Sequence, residues 1–155
     1  MKKLALLLIA TSAILVGCID DDDDVVIVEE PPGDEVPPPP PVIELTANIT
    51  GFGPYIYLSG VGRVLIDSPD SFTAEIDIRN DIPGAVRPWH VHFGTCPGGV
   101  IVGPPDLYRP LMITGNGTDA VTTVVPLPLD LDFAYSINMH VSLSDPTIIA
   151  CGELF

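Results

Sequence analysis

The chain has three histidines, and their placement suggests a shared task. His90 and His92 lie two apart in Trp89-His90-Val91-His92-Phe93, and His140 lies in Ile137-Asn138-Met139-His140-Val141-Ser142-Leu143. Strand alternation puts Trp89, Val91 and Phe93 on one face and both histidines on the other. In the second segment the odd-numbered residues are the apolar set, so His140 shares a polar face with Asn138 and Ser142. Two imidazoles at i and i+2 stand about 7 Å apart at the backbone, and inclined rings can converge on one ion. A third ring from a neighbouring strand completes a three-histidine set suited to copper, with zinc second. For a ready-made site, one nitrogen of each ring must lie within about 4 Å of the other two, since metal–nitrogen bonds are about 2 Å. The same pattern also fits three solvent-facing histidines on the outer faces of half-buried strands.

Cys96 and Cys151 are the other reactive pair. Cys96 follows His92 by four residues and Cys151 follows His140 by eleven. In an oxidising compartment an even pair points to a disulfide that ties the two histidine segments together. Two free thiols, or thiolates acting as copper ligands, are the rival readings. Arg87, just before the histidine strand, is the candidate anion contact, and Arg109 is the other cation available to guide one. Met112 is a soft ligand only if the fold brings it near. Asp130 and Asp132 read as a solvated turn. No nucleophile elbow, phosphate loop or dinucleotide fingerprint is present.

The elements holding these residues are all β by pattern. Phe72, Ala74, Ile76 and Ile78 alternate with Thr73, Glu75, Asp77 and Arg79, the period of a half-buried strand. Stretches 42–49 and 55–66 are also strand-like, with Gly51, Gly53, Pro54, Gly60 and Gly62 as breaks or bulges. Gly115-Asn116-Gly117 signals a hairpin between 111–114 and 120–125. No helical period survives the glycines and prolines. The expected architecture is a single antiparallel Greek-key β-sandwich or flattened barrel over residues 42–155.

Upstream, residues 1–17 carry Lys2 and Lys3 before an apolar run, the form of an export signal too short to span a bilayer comfortably. Leu15-Val16-Gly17-Cys18 resembles the bacterial lipobox, which implies acylation of Cys18 and attachment to the cell envelope. Ile19 rather than Asp after the cysteine favours the outer membrane in a Gram-negative host. Residues 18–41, with Asp20 to Asp24 and Pro37 to Pro41, read as an extended disordered tether. Residues 42–155 carry twelve acids against four arginines, a net of −8. Nucleic acid is thereby excluded as a partner, and membrane contact must come from the acyl anchor or from a protein partner.

The histidine and cysteine segments together resemble copper/zinc superoxide dismutase. The similarity rests on His90-Val91-His92-Phe93-Gly94, Cys96, Asn138-Met139-His140 and Ala150-Cys151-Gly152. They also resemble the CHRD domain family, through the His-x-His strand, then Tyr135-Ser136-Ile137-Asn138-Met139-His140 with one extra residue after the tyrosine, then Gly152-Glu153-Leu154. The short gap from His92 to His140 suits CHRD better, because the dismutase zinc loop would lie there. The dismutase likeness implies a cysteine pair and a copper site, but its two-metal centre needs more histidines than this chain has. Its catalytic arginine would fall at Ile148. The resemblance therefore implies a copper-binding domain without efficient turnover. A weak copper-only dismutase and a metal-free CHRD-type interaction module are the alternatives.

Overall fold

The computed structural model describes residues 41–155; residues 1–17, where an export signal is expected, Cys18 and the acidic, proline-rich segment through Pro40 lie outside the described residues. Ten strands appear: β1 Ile43–Gly51, β2 Ser59–Ser68, β3 Ser71–Arg79, β4 Val86–Arg87, β5 Trp89–Phe93, β6 Val100–Ile101, β7 Leu111–Met112, β8 Asp119–Val125, β9 Tyr135–Ser142 and β10 Asp145–Leu154. Among the described residues the only helical pieces are two short 3-10 turns. Eight strands form one antiparallel sheet in the order β6-β5-β9-β10-β1-β2-β3-β8, and β4 pairs with β7 apart from it. The sheet curls into a half-barrel, as an all-β antiparallel fold requires. The segment after β6 reaches the far edge, where the Thr123 hydroxyl of β8 donates to the Leu107 carbonyl.

The alternation of β3 is as the sequence implies: Phe72, Ala74, Ile76 and Ile78 are buried and the intervening residues are not. These four share one hydrophobic cluster with Val64, Val121, Val125, Ala47 and Ile49. Ile137 of β9 also enters this core. A Cβ on Gly62 of β2 would collide with the end of the Ile137 side chain, although β10 and β1 separate the two strands in the sheet. Gly62 is therefore a point of close approach, not a bulge. Both Gly60 and Gly62 keep regular register with β1, opposite Ile49 and Ala47. The stretch 55–58 is not strand: Gly53–Tyr55 forms a 3-10 turn, and β2 starts at Ser59. The Gly115–Gly117 turn does form, closed by the Thr114 amide donating to Thr118. Its arms then part, β7 to β4 and β8 to β3, so the local turn signal does not set the strand pairing.

Arg87 does not serve as an anion contact. Its Nε and Nη2 each donate to the Asp81 carboxylate at 2.8 Å, and Nη1 donates to the Val141 carbonyl at 2.6 Å. The guanidinium also lies 5.1 Å from the Tyr55 ring centre. Both partners are buried, so a diffusing anion would have to displace a bidentate ion pair from a low-dielectric site. The pair instead joins the 81–87 segment to β9. Asp81→Asn is expected to destabilise the fold by about 3–5 kcal/mol in a urea titration, because it strands a buried guanidinium. Asp81→Ala combined with Arg87→Met should recover much of that loss.

Candidate metal centre

β5 and β9 depart from the simple alternation of β3. In β5, Trp89 through Val91 and His92 are all buried, and in β9 every residue from Tyr135 to His140 is buried. The apolar set fills the core, with Trp89 Nε1 donating to the Arg109 carbonyl and its ring meeting Tyr108 edge-on. The polar set is equally hidden: His90, His92 and His140 are 7%, 4% and 6% exposed. The expectation of an open outer face is thus corrected. A long-range cover lies over it.

The cover is built by the segment after β5. Cys96 and Cys151 form a disulfide, Cα–Cα 5.9 Å, and Cys151 of β10 pairs with Asn138 of β9. Asn138 Nδ2 donates to the Gly98 carbonyl at 2.6 Å. The turn is tight at Gly99, where φ is +84° and a Cβ would strike the Phe93 carbonyl. Neither cysteine is free to act as a thiolate ligand. Met112 lies in the small sheet and is 61% exposed. Asp130 and Asp132 form an exposed turn, with the Asp132 amide donating to the Asp130 carboxylate.

Beneath this cover the three rings converge. His90 pairs with Asn138 and His92 with Ser136, while the His140 amide donates to the Pro88 carbonyl. His140 therefore lies four residues along β9 from the partner of His92, about 13 Å of strand. Yet their ring centres are only 5.7 Å apart, and those of His90 and His140 are 5.1 Å apart. One nitrogen from each ring lies within 4.8 Å of the other two, and His90 Nδ1 is 3.1 Å from His140 Nε2. Tetrahedral or trigonal coordination needs nitrogens about 3.3–3.5 Å apart. The spread is wider than the 4 Å expected of a finished site, so the rings must close by a fraction of their width to hold an ion. Rotation about χ1 and χ2 supplies movement of that size.

The hydrogen bonds define donor roles. A carbonyl only accepts, so His140 Nδ1, 2.7 Å from the Pro146 carbonyl, carries the proton. In the neutral ring that leaves the Nε2 lone pair directed into the cluster, the backbone-supported orientation common among metal-binding histidines. His92 is different. Both of its ring nitrogens are buried without a hydrogen-bond partner, and so are Ser136 Oγ and Asn138 Oδ1 on the same strand face. An orphaned buried polar atom costs about 1–3 kcal/mol, and here such atoms surround a group of potential donors. The donor set fits a metal ion.

No known family's model matches this chain, and no curated protein is significantly similar to it. The geometry carries the assignment alone.

Burial keeps the His90 and His92 imidazoles neutral, the form a metal ion needs. It lowers the His90 pKa from 6.5 to about 4, and the nearby His140 and His92 add to the effect. The His92 pKa is also lowered, first by burial and then by His140, while the Gly99 and Gly98 backbone pulls partly the other way. The sequence signalled the shared face but not Tyr108, which meets His90 edge-on at 5.3 Å, nor Pro146. Neither stands in a recognisable spacing to the histidines.

Two outcomes follow from this geometry. A histidine with a depressed pKa contributes stability that is complete above its unfolded pKa and is lost as pH falls towards the folded value. Between pH 6.5 and about 4 the metal-free protein should therefore lose about 3 kcal/mol through His90, seen as a falling urea midpoint. A His90→Gln variant should lack most of that slope. Opening the disulfide releases a separation of 55 residues. Cys96→Ser/Cys151→Ser should lose about 4 kcal/mol of stability in the same assay.

Proposed function

We propose that this protein is an exported envelope lipoprotein whose β domain is dismutase-like or CHRD-like and binds copper through His90, His92 and His140 without efficient turnover. The observation that carries this reading is the convergence of three buried rings, with both nitrogens of His92 left unpartnered. His90 and His140 meet each other, but His92 is left with a cost that an ion would remove.

Copper is proposed on the chemistry of the donors. The group offers three imidazoles and no carboxylate, and both thiols of the domain are oxidised. Imidazole suits copper and zinc, and a given nitrogen site binds Cu(II) more tightly than Zn(II). When bound, copper supplies redox chemistry. The protein's own residues hold His90 and His92 neutral, fix the His140 tautomer through Pro146 and restrict water around His92. Export, acylation at Cys18 and outer-membrane placement rest on the sequence of residues 1–19.

A dismutase role is the lesser reading. The arginine before the histidine strand is consumed by Asp81, and Ile148 stands where the resemblance requires the catalytic arginine. Cu(II), Cu(I) and Zn(II) titrations of residues 19–155 provide the test. One copper per chain is expected, and His92→Ala should weaken it by about 100-fold or more. Unchanged stoichiometric binding in His92→Ala would defeat the proposal. Superoxide decay faster than with an equal amount of free copper would replace it with the dismutase reading.

A further inference from the structure

A second feature opens beside the histidines but is made of different chemistry. Residues of β5, the 105–110 segment and the β9–β10 turn line a half-open cavity of about 700 Å³. Its walls are mainly apolar, including Ile101, Leu107, Leu143 and the Tyr108 ring. His90 and His140 line it, and His92 does not. The Tyr108 wall is fixed, because its hydroxyl donates to the Val102 carbonyl at 2.8 Å and its ring braces both Trp89 and His90. A preformed apolar cavity of this size with a few polar groups is the usual form of a small-molecule site.

Charge identifies the kind of occupant. The domain has four arginines against twelve acids. Arg63 pairs with Glu44, Arg79 with Asp77 and Arg87 with Asp81. Among the described residues no carboxylate lies within ion-pairing distance of Arg109, which is exposed and lines this cavity. Asp106 also lines it but does not pair with Arg109. In so acidic a domain, an unpaired guanidinium beside an apolar hollow is a specific complement. We infer that the cavity binds a small organic anion, an apolar body carrying one carboxylate or sulfonate that pairs with Arg109. This site goes beyond copper binding and does not depend on it.

The probe is 8-anilinonaphthalene-1-sulfonate, with the neutral N-phenyl-1-naphthylamine as its uncharged counterpart, added to folded residues 19–155 and followed by fluorescence. One saturable site is expected, with Kd on the order of tens of micromolar for a ligand of this size. Arg109→Gln should weaken the sulfonate about tenfold and leave the neutral compound within about twofold, while Arg109→Lys should retain most of the affinity. His92→Ala should lose copper and keep the sulfonate, which separates failure of the metal reading from failure of this one. Absence of a saturable site, or sulfonate affinity in Arg109→Gln within about twofold of the parent, overturns the inference.

Discussion

The register between β5 and β9 is the constraint on which the site depends. Trp89 lies opposite Met139, His90 opposite Asn138, Val91 opposite Ile137 and His92 opposite Ser136. A slip of one residue would exchange the faces, sending the imidazoles into the core and Trp89 out of it. The interior prevents that slip. Trp89, Val91, Ile137 and Met139 are completely buried, and Gly62 leaves space for Ile137. Hydrophobic packing on one side of these strands therefore fixes where the polar side chains lie on the other, before any ligand contributes.

The domain buries two polar groups in opposite ways. Arg87 and Asp81 satisfy each other with paired hydrogen bonds, and the spare Arg87 donor has the Val141 carbonyl. That unit is closed and acts as a brace. The histidine cluster is open. His140 has its carbonyl partner, and His90 meets His140, but neither His92 nitrogen makes a well-formed hydrogen bond, although the Gly98 and Gly99 backbone lies near. Low pKa values follow from the same burial that leaves the cluster short of partners. The contrast separates structure from site more securely than residue type alone, since both groups consist of buried polar side chains.

Period and composition made the one-sided strands legible. β3 reads directly from its alternation, and the common face of His90 and His92, and of His140 with Asn138, follows from parity. The disulfide between the two histidine segments was also accessible from the cysteine count. What parity cannot report is whether a polar face meets solvent. That face is covered by the segment 94–99, held from β10 by Cys151 and from β9 by Asn138, contacts about 40 to 55 residues distant in the chain. Arg87 was misleading for the same reason. Its partner, Asp81, lies six residues earlier across the Pro83-Gly84 turn, and a turn signal alone does not say which side chains it brings together. The 115–117 turn forms locally, whereas the destinations of β7 and β8 are decided by the sheet.

His90 and His140 belong to both proposed sites: they are two of the three metal donors, and they form part of the wall of the apolar cavity. Shared walls have a thermodynamic consequence. If an ion draws these rings together, it alters the surface offered to an organic anion, and by linkage the anion alters affinity for the ion by the same factor. His92 stands outside the cavity and Arg109 outside the metal group, so each site also has a residue of its own. The acidic domain thus has an unpaired guanidinium and a nitrogen cluster that share the same two imidazoles as neighbours. Arg87, the cation nearer in sequence, is sealed into the scaffold, which leaves Arg109 as the arginine lining the cavity, with Asp106 beside it in the chain segment 105–110.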